Sequence, residues 1–233
     1  MKRPFLLAVL LLAGPAQAER TVMLSGFDRV RVDGPFEVEM RAGPRAAASI
    51  AGSTRAAEAV TARVENRTLI VSASVSAWGG WRGEERPAVV TITAPPETRG
   101  VAVRGGGRVH VDRLRGGRLD LAVAGSGTLV VDRAEADLVY VTLTGAGRVE
   151  LAGQAARARF LSIGTGSIDA DQFAADELQV SSDSLGDSRF TARRTATVSS
   201  TGLGAVTVDG PAACTITGQR GGPVTCGREA RRP

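Results

Sequence analysis

The 233-residue sequence is poor in the residues on which several common protein classes depend. It contains one histidine and two cysteines, and aromatic residues make up only 4% of the chain. The lone histidine, His110, argues against a zinc site built on several histidines and against Ser-His-Asp or Cys-His catalysis. The shortage of large aromatic side chains argues against an ordinary globular core, whereas a solenoid buries only a thin layer in each coil.

Long apolar runs and basic runs are also missing. No segment after the N-terminus approaches the roughly 20 apolar residues that a spanning helix requires, so no transmembrane segment is predicted. The formal net charge is +5, but arginines and acidic residues are interspersed along the chain. With neither a basic run nor interleaved aromatic residues, we do not expect a nucleic-acid partner.

The N-terminus has the order of a secretory signal peptide. Lys2 and Arg3 precede an apolar run from Phe5 to Leu12, and small residues follow up to Ala18. This order predicts a signal peptide at residues 1–18, cleaved after Ala18. No cysteine lies near that point, so we do not expect a lipid anchor, and the mature protein is predicted to be periplasmic or extracellular.

Glycine, in contrast, is abundant and organises the chain. Seven glycine-rich marks recur at intervals of 18–20 residues. They are Gly105-Gly106-Gly107, Gly125-Ser126-Gly127, Gly145-Ala146-Gly147, Gly164-Thr165-Gly166, Ser184-Leu185-Gly186, Gly202-Leu203-Gly204 and Arg220-Gly221-Gly222. A repeat of this period is typical of a solenoid.

The residues beside each mark alternate between apolar and polar. After the first mark, apolar Val109 and Val111 flank polar His110, and Leu119, Leu121 and Val123 precede the second mark. This alternation predicts a strand on each side of a glycine turn, with a longer polar turn closing the coil. The predicted fold is all-β: a parallel β-solenoid with about seven coils of 18–20 residues over residues 96–227.

The segment before the regular coils, residues 19–95, is predicted to be an irregular N-terminal β region that caps the end of the stack or forms its irregular first coils. Ser53 or Thr54 is expected to cap one short helical turn there, through Val60. Residues 228–233 are predicted to be a disordered tail, so that 19–233 form one domain. The strands predicted in the cap are Phe27–Asp33, Phe36–Arg41, Ala46–Ala51, Thr61–Glu65, Thr68–Ser74 and Ala88–Ala94.

Several of these segments resemble a known family in their order. The start from Phe27 to Met40, the strand Thr68–Val71 and the repeated Gly-Ser-Gly-like turns are similar to the bacterial "putative auto-transporter adhesin, head GIN domain" family, a domain-of-unknown-function group. The resemblance covers roughly residues 26–220. It implies a β-helix-like fold and a location in the cell envelope, and it supplies no catalytic residues. The chain departs from the pattern at Ser182–Asp187, where the turn lacks its first glycine.

The two cysteines are predicted to form a disulfide. The register of the repeat places Cys214 and Cys226 in inward columns on facing strands of the last coil. An exported chain with an even number of cysteines favours a bridge over two free buried thiols.

Acidic residues recur five places after four of the marks, at Asp112, Asp132, Asp171 and Asp209. Stacked carboxylates could bind Ca²⁺. The series is interrupted, however, and arginines follow two of the acids, so we interpret them as solvated turn residues and predict no metal site.

Trp78, Trp81 and Arg82 lie in the only concentration of aromatic residues. The tryptophans could stack on a sugar or on a partner's side chains, or they could fold back over the open end of the solenoid.

The sequence as a whole favours a non-enzymatic exported envelope protein that binds a partner or has a structural role. The candidate partners are envelope proteins and glycans. Further copies of the chain could also associate with it through the solenoid ends. No cofactor is expected, because the glycine marks recur in every coil and open no helix as a phosphate loop would. The alternative is a polysaccharide-acting enzyme with Glu150, Asp169 and Asp171 as wall carboxylates.

Overall fold

The structure, a computed structural model, describes residues 17–74, 88–95, 97–218 and 221–227. Within these residues the chain forms seventeen β-strands and one short helix. Strands that are close to 20 residues apart in sequence pair in parallel along most of the chain. The predicted parallel β-solenoid is therefore confirmed.

The elements of the N-terminal region are β1 (Gln17–Met23), β2 (Arg29–Asp33), β3 (Glu37–Ala42), β4 (Ala47–Ser53), α1 (Thr54–Glu58), β5 (Val60–Glu65), β6 (Thr68–Ala73) and β7 (Val89–Ala94). The remaining strands are β8 (Gly100–Gly105), β9 (Arg108–Val111), β10 (Leu114–Gly125), β11 (Thr128–Gly145), β12 (Arg148–Gly164), β13 (Ser167–Ser184), β14 (Ser188–Ser200), β15 (Val206–Asp209), β16 (Ala213–Thr217) and β17 (Val224–Cys226).

Each level of the regular stack, which we call a rung, contains a glycine turn between two sides. The first side is the strand segment before the turn, such as 119–125, and the second side is the segment after it, such as 128–131. Seven such rungs, from β8–β9 to β16–β17, make about six full turns of the solenoid. The predicted inward positions are confirmed, since Val109, Leu129 and Val149 are each 0% exposed.

The glycine turns need glycine for two separate reasons. In the first four marks the first glycine adopts a left-handed backbone conformation, as at Gly125 with φ +115°. The last glycine of a mark lies against the turn below it. A Cβ on Gly127 would stand 2.7 Å from the carbonyl oxygen of Gly107 and 2.8 Å from Cγ1 of Val103. The turns can therefore stack at strand spacing only without a side chain at that position.

The segment that closes each coil was predicted to be a polar turn, and this prediction was wrong. Leu114 pairs in parallel with Ala134, Ala134 with Gly153, and Gly153 with Phe173, so the segment forms a third side of the stack. Leu114, Ala134 and Phe173 are at most 3% exposed. Apart from Leu114 and Phe173, the inward positions of this third side are mostly small residues. Alanine and glycine do not produce the apolar alternation that reveals a strand.

The core of the later rungs combines large and small side chains. The ring of Phe160 packs edge-on against Phe173, with 6.3 Å between centroids, and in a tilted arrangement against Phe190, with 4.8 Å between centroids. Alanines occupy neighbouring inward positions, among them Ala158 and Ala170, each 1% exposed. The alternation of large and small residues fills a narrow interior without expanding the rungs.

One inward column changes from apolar residues to serine along the stack. Val123 and Leu143 are followed in register by Ser162, Ser182 and Ser200. The three serine hydroxyls are buried and have no hydrogen-bond partner among the described residues. Equivalent atoms of neighbouring rungs stand about 4.8 Å apart, which is too far for a direct hydrogen bond between them.

The N-terminal region contains the six predicted strands, but it does not stack in chain order. The rung formed by β2 and β3 lies between the β6–β7 rung and the β8–β9 rung. Asp28, directly before β2, links these strands: its Oδ2 is 3.3 Å from Arg67 Nε and 2.9 Å from Arg99 Nη2. These arginines precede β6 and β8, the two neighbours of β2.

Antiparallel strands close the N-terminal end of the stack, as the predicted irregular cap requires. Strand β5 pairs antiparallel with β6, while β4 pairs antiparallel with both β7 and β1. Of the two predicted cap residues, Ser53 caps α1, its hydroxyl accepting from the backbone N–H of Ala56 at 3.2 Å. Strand β1 was not predicted, and it starts before the expected cleavage point. The signal peptide and the tail at 228–233 stay predictions, because 1–16 and 228–233 lie outside the described residues.

Candidate functional site

His110 lies on the outward face of the second side, and the structure gives it partners that the sequence did not reveal. Its Nε2 is 2.8 Å from Oδ2 of Asp132 in the next rung, and its Nδ1 is 3.5 Å from Oε2 of Glu39 in the previous one. The hydrogen bond with Asp132 is the main cause that raises the pKa of His110 above its usual value of 6.5, and Glu39 adds to this effect. The cluster is an ionic link across three rungs.

Stability should therefore depend on pH through His110. Because the pKa is raised in the folded state, the contribution is fully present below the unfolded pKa and is lost as pH rises through the folded pKa. Relative to wild type, His110→Gln should be less stable by several tenths of a kcal/mol at about pH 5.5, since the side chain is 38% exposed and solvent screens the pair. The difference should vanish at about pH 8.5 in urea unfolding curves.

Asp132→Asn provides the control for this prediction. In its background the substitution of His110 should have a much smaller pH-dependent effect, because the principal partner is gone. An equal loss of stability at both pH values would contradict the role of the ionic link.

The acidic residues that stand five places after four of the glycine marks have different local roles. Asp112 Oδ1 accepts from the backbone N–H of Ala42 at 3.2 Å, and Asp132 is the partner of His110. At Asp171 the simple register is interrupted, because Ala170 pairs with Phe190 but Ala174 pairs with Thr191. Among the described residues, no three acidic, histidine or cysteine side chains converge to hold a metal ion.

Two of the three wall carboxylates proposed for the enzyme alternative are neighbours. Glu150 and Asp169 stand in register on adjacent rungs. Arg148 lies between them, with its Nε 2.8 Å from Glu150 Oε1 and its Nη2 3.9 Å from Asp169 Oδ2. The two acids thus share an ion pair with arginine.

The predicted disulfide is present between Cys214 and Cys226, whose Cα atoms are 6.3 Å apart. The register is also as predicted, with Cys214 beside inward Ala196 and Cys226 beside inward Val208. These inward columns do not bury the two cysteines in the last rung: no described rung covers it, so Cys214 is exposed and Cys226 is half-buried.

Trp78, Trp81 and Arg82 lie outside the described residues. Both readings of the tryptophans, as a binding surface and as a cover for the solenoid end, therefore stay predictions.

A second outward cluster, on the first side, was missed by reasoning from the sequence. Tyr140 is half-buried on β11. The guanidinium carbons of Arg118 and Arg159 stand 5.4 Å and 5.9 Å from the centroid of its ring. The signal was available, because Asp120, Tyr140 and Arg159 occupy one outward column of the repeat.

The charge around Tyr140 is predominantly positive. Arg118 pairs with Asp120 at 2.8 Å. Arg157 and Arg159 are exposed on the neighbouring rung and have no ion-pair partner among the described residues. We call Arg118, Asp120, Tyr140, Arg157 and Arg159 the Tyr140 surface. Tyrosine and arginine are the residue types enriched in interface hot spots.

Comparison with known proteins supports the resemblance noted from the sequence. Residues 26–212 match the family model described as "Putative auto-transporter adhesin, head GIN domain". A search of curated proteins found no match. Among the described residues, no helix has the length and apolar character that crossing a membrane would require.

Solved structures share the fold at low sequence identity. The chain is similar to a "putative adhesin" from Bacteroides fragilis NCTC 9343, with 21% identity, a TM-score of 0.78 and coverage of 92% of this chain and 97% of that one. It is similar to a "putative adhesin" from Parabacteroides distasonis ATCC 8503, with 17% identity, a TM-score of 0.70 and coverage of 91% and 97%. A "putative lipid binding protein" from the same strain has 14% identity, a TM-score of 0.59 and coverage of 90% and 94%.

Proposed function

Because this chain belongs to the family described as "Putative auto-transporter adhesin, head GIN domain", which its residues 26–212 match, we propose that it is an exported, non-enzymatic binding module of the adhesin type. The family suggests an exported or surface protein. The N-terminal Lys2-Arg3, the apolar run and Ala18 support export by a cleaved signal peptide into the periplasm or beyond the cell.

The Tyr140 surface is the observation that supports recognition of a partner. Two guanidinium groups flank the ring of Tyr140, and Arg157 adds an unpaired positive charge on the same outward side. An aromatic ring held between arginines offers a rigid contact area, and the excess of positive charge attracts an acidic surface. The partner we propose is therefore an acidic segment of another envelope protein.

A non-enzymatic role is favoured over polysaccharide cleavage. A glycosidase needs one carboxyl group that can donate a proton and a second that acts as base or nucleophile. Here Glu150 is already paired with Arg148, which also approaches Asp169. No described aromatic side chain is exposed on that side to hold a sugar ring, since Phe36, Phe173 and Phe190 on or beside the second side are at most 1% exposed.

The proposal is tested by capture from solubilised envelope on immobilised protein, with the retained proteins identified and their affinities measured. Tyr140→Ala should weaken the tightest specific partner by about 30-fold, the effect of losing an interface hot spot. Arg159→Gln should weaken it less and reduce the dependence on salt.

Thr197→Ala is the matched control, because Thr197 lies in the same outward column three rungs away. It should leave the affinity unchanged. Equal affinity of the wild-type and Tyr140→Ala proteins would contradict recognition through the Tyr140 surface. Turnover of envelope polysaccharides by the wild-type protein, lost in Asp169→Asn, would contradict the non-enzymatic role. Self-association through the solenoid ends stays a prediction, which light scattering of the same samples would test.

A further inference from the structure

The third side of the stack ends at Leu114, and a cavity of about 270 Å³ opens there. Residues 114–116 of β10 pair with β11 on one edge. On their other edge no strand of the described residues pairs with them, and Pro95 and Thr98 line the cavity beside this position. The cavity is lined by Met40, Ala42, Ala94, Pro95, Thr98, Arg113, Leu114 and Arg115.

The cavity wall contains a buried polar group without a partner. Thr98 is 2% exposed, and its hydroxyl has no hydrogen-bond partner among the described residues. Buried hydroxyl groups in native proteins are almost always hydrogen-bonded, so this hydroxyl on a cavity wall is free to bind a water molecule or a polar group of a ligand. Most of the other lining residues, such as Met40, Ala94 and Leu114, are apolar.

The charges at the rim leave one arginine available. Arg115 donates from Nε to Glu135 Oε2 at 2.9 Å, so its charge is partly compensated. Asp112 is engaged with the backbone N–H of Ala42 at 3.2 Å. Arg113 is exposed and has no ion-pair partner among the described residues. A guanidinium group in this position suits a carboxylate, which it can bind through two hydrogen bonds.

We propose that this cavity binds a small aliphatic monocarboxylate. The carboxylate would lie on Arg113 and accept from the hydroxyl of Thr98, while the hydrocarbon tail packs against Met40, Ala94 and Leu114. A dry cavity of about 150 Å³ holds benzene, so this one admits a ligand of roughly ten heavy atoms. Octanoate has this size. The site is separate from the Tyr140 surface, and its existence does not depend on the proposed function.

Titration calorimetry of the whole mature protein with sodium octanoate tests the proposal, with 1-octanol and acetate as partial probes. Octanoate should bind with a dissociation constant on the order of 0.1–1 mM, in line with its size. Octanol should bind more weakly because it lacks the carboxylate. Acetate, which lacks the tail, should show no binding at the same concentrations.

Three substitutions separate the contributions of charge, hydroxyl and space. Arg113→Gln should weaken octanoate about tenfold and leave octanol unchanged, because it removes a charge-assisted hydrogen bond. Thr98→Val should weaken octanoate about fivefold. Ala42→Phe, at an exposed position on the rim, should abolish binding of both octanoate and octanol by filling the cavity. Melting curves verify that each variant is folded.

Arg133→Gln is the matched control, because Arg133 precedes Ala134, which stands in register above Leu114 at a rung without the cavity. It should bind octanoate as the wild type does. The proposal is overturned if the wild-type protein shows no binding at about 10 mM octanoate. It is equally overturned if folded Arg113→Gln and Ala42→Phe bind octanoate with wild-type affinity.

Discussion

Replacing Gly147 by alanine is expected to lower the free energy of unfolding by about 3 kcal/mol, which corresponds to a drop of roughly 6–12 °C in the melting temperature for a domain of this size. The added Cβ would lie 2.6 Å from the carbonyl oxygen of Gly127 and 2.6 Å from Cγ1 of Val123. The carbonyl of Gly127 cannot retreat, because Gly127 is itself packed on the turn beneath it. Differential scanning calorimetry and urea unfolding would measure the loss.

The neighbouring position provides a control within the same turn. Ala146 is exposed, and the equivalent positions in adjacent turns hold Ser126 and Thr165. Ala146→Ser should therefore melt within about 2 °C of the wild type, since surface changes away from special backbone positions have small effects. If Gly147→Ala also melted within that margin, close stacking of the glycine turns would not be what restricts this position.

The regular part of the fold could be predicted from the sequence because each rung repeats the same local chemistry. Within each strand, apolar and polar residues alternate, and this alternation predicts that Val109, Leu129 and Val149 are inward positions of successive rungs. The glycines between them fix the turns. The predicted strands of the N-terminal region were also confirmed. In both cases a few consecutive residues carry the alternation of apolar and polar side chains, and this local pattern is sufficient to predict a strand.

The order of the first rungs could not be predicted in this way. Strand β2 lies between β6 and β8 because residues distant in sequence meet there, and Asp28 binds Arg67 and Arg99 at the junction. Such pairings depend on tertiary contacts that no local period reveals. The third side was missed for another reason: Ala134 and Gly153 are small residues that occur equally in turns and in tightly packed strands.

The candidate sites could be predicted from the sequence only in part. Tyr140 and Arg159 stand in one column of the repeat, so the register already implied their contact. The link between His110 and Asp132 is diagonal, one rung and two residues away, and it depends on side-chain conformation. The cavity beside Leu114 exists because a regular pattern ends there. A sequence repeat predicts the positions of the repeated rungs, but it does not predict which residues pack beside the first of them.

The disulfide gives the second large effect expected for this protein. Replacing both Cys214 and Cys226 by alanine should cost about 2–3 kcal/mol, because the bridge closes a short loop with a sequence separation of 12 residues. The physical role is local. All five residues of β16 are exposed, and no described rung covers β16 or β17. The bridge thus connects the two sides of a rung that has little apolar packing to hold it.

The loss should therefore be confined to one end of the stack. In a solenoid each rung contacts only its neighbours, so the end rung can open while the others remain folded. Hydrogen exchange should accelerate by about 30-fold or more at amides of β16 and β17 in the double variant and stay unchanged in β11 and β12. Reductant should reproduce this pattern in the wild-type protein and have no effect on the variant. Uniform loss of protection along the whole stack would instead mean that the last rung folds as one cooperative unit with the rest, and that the bridge stabilises the entire solenoid.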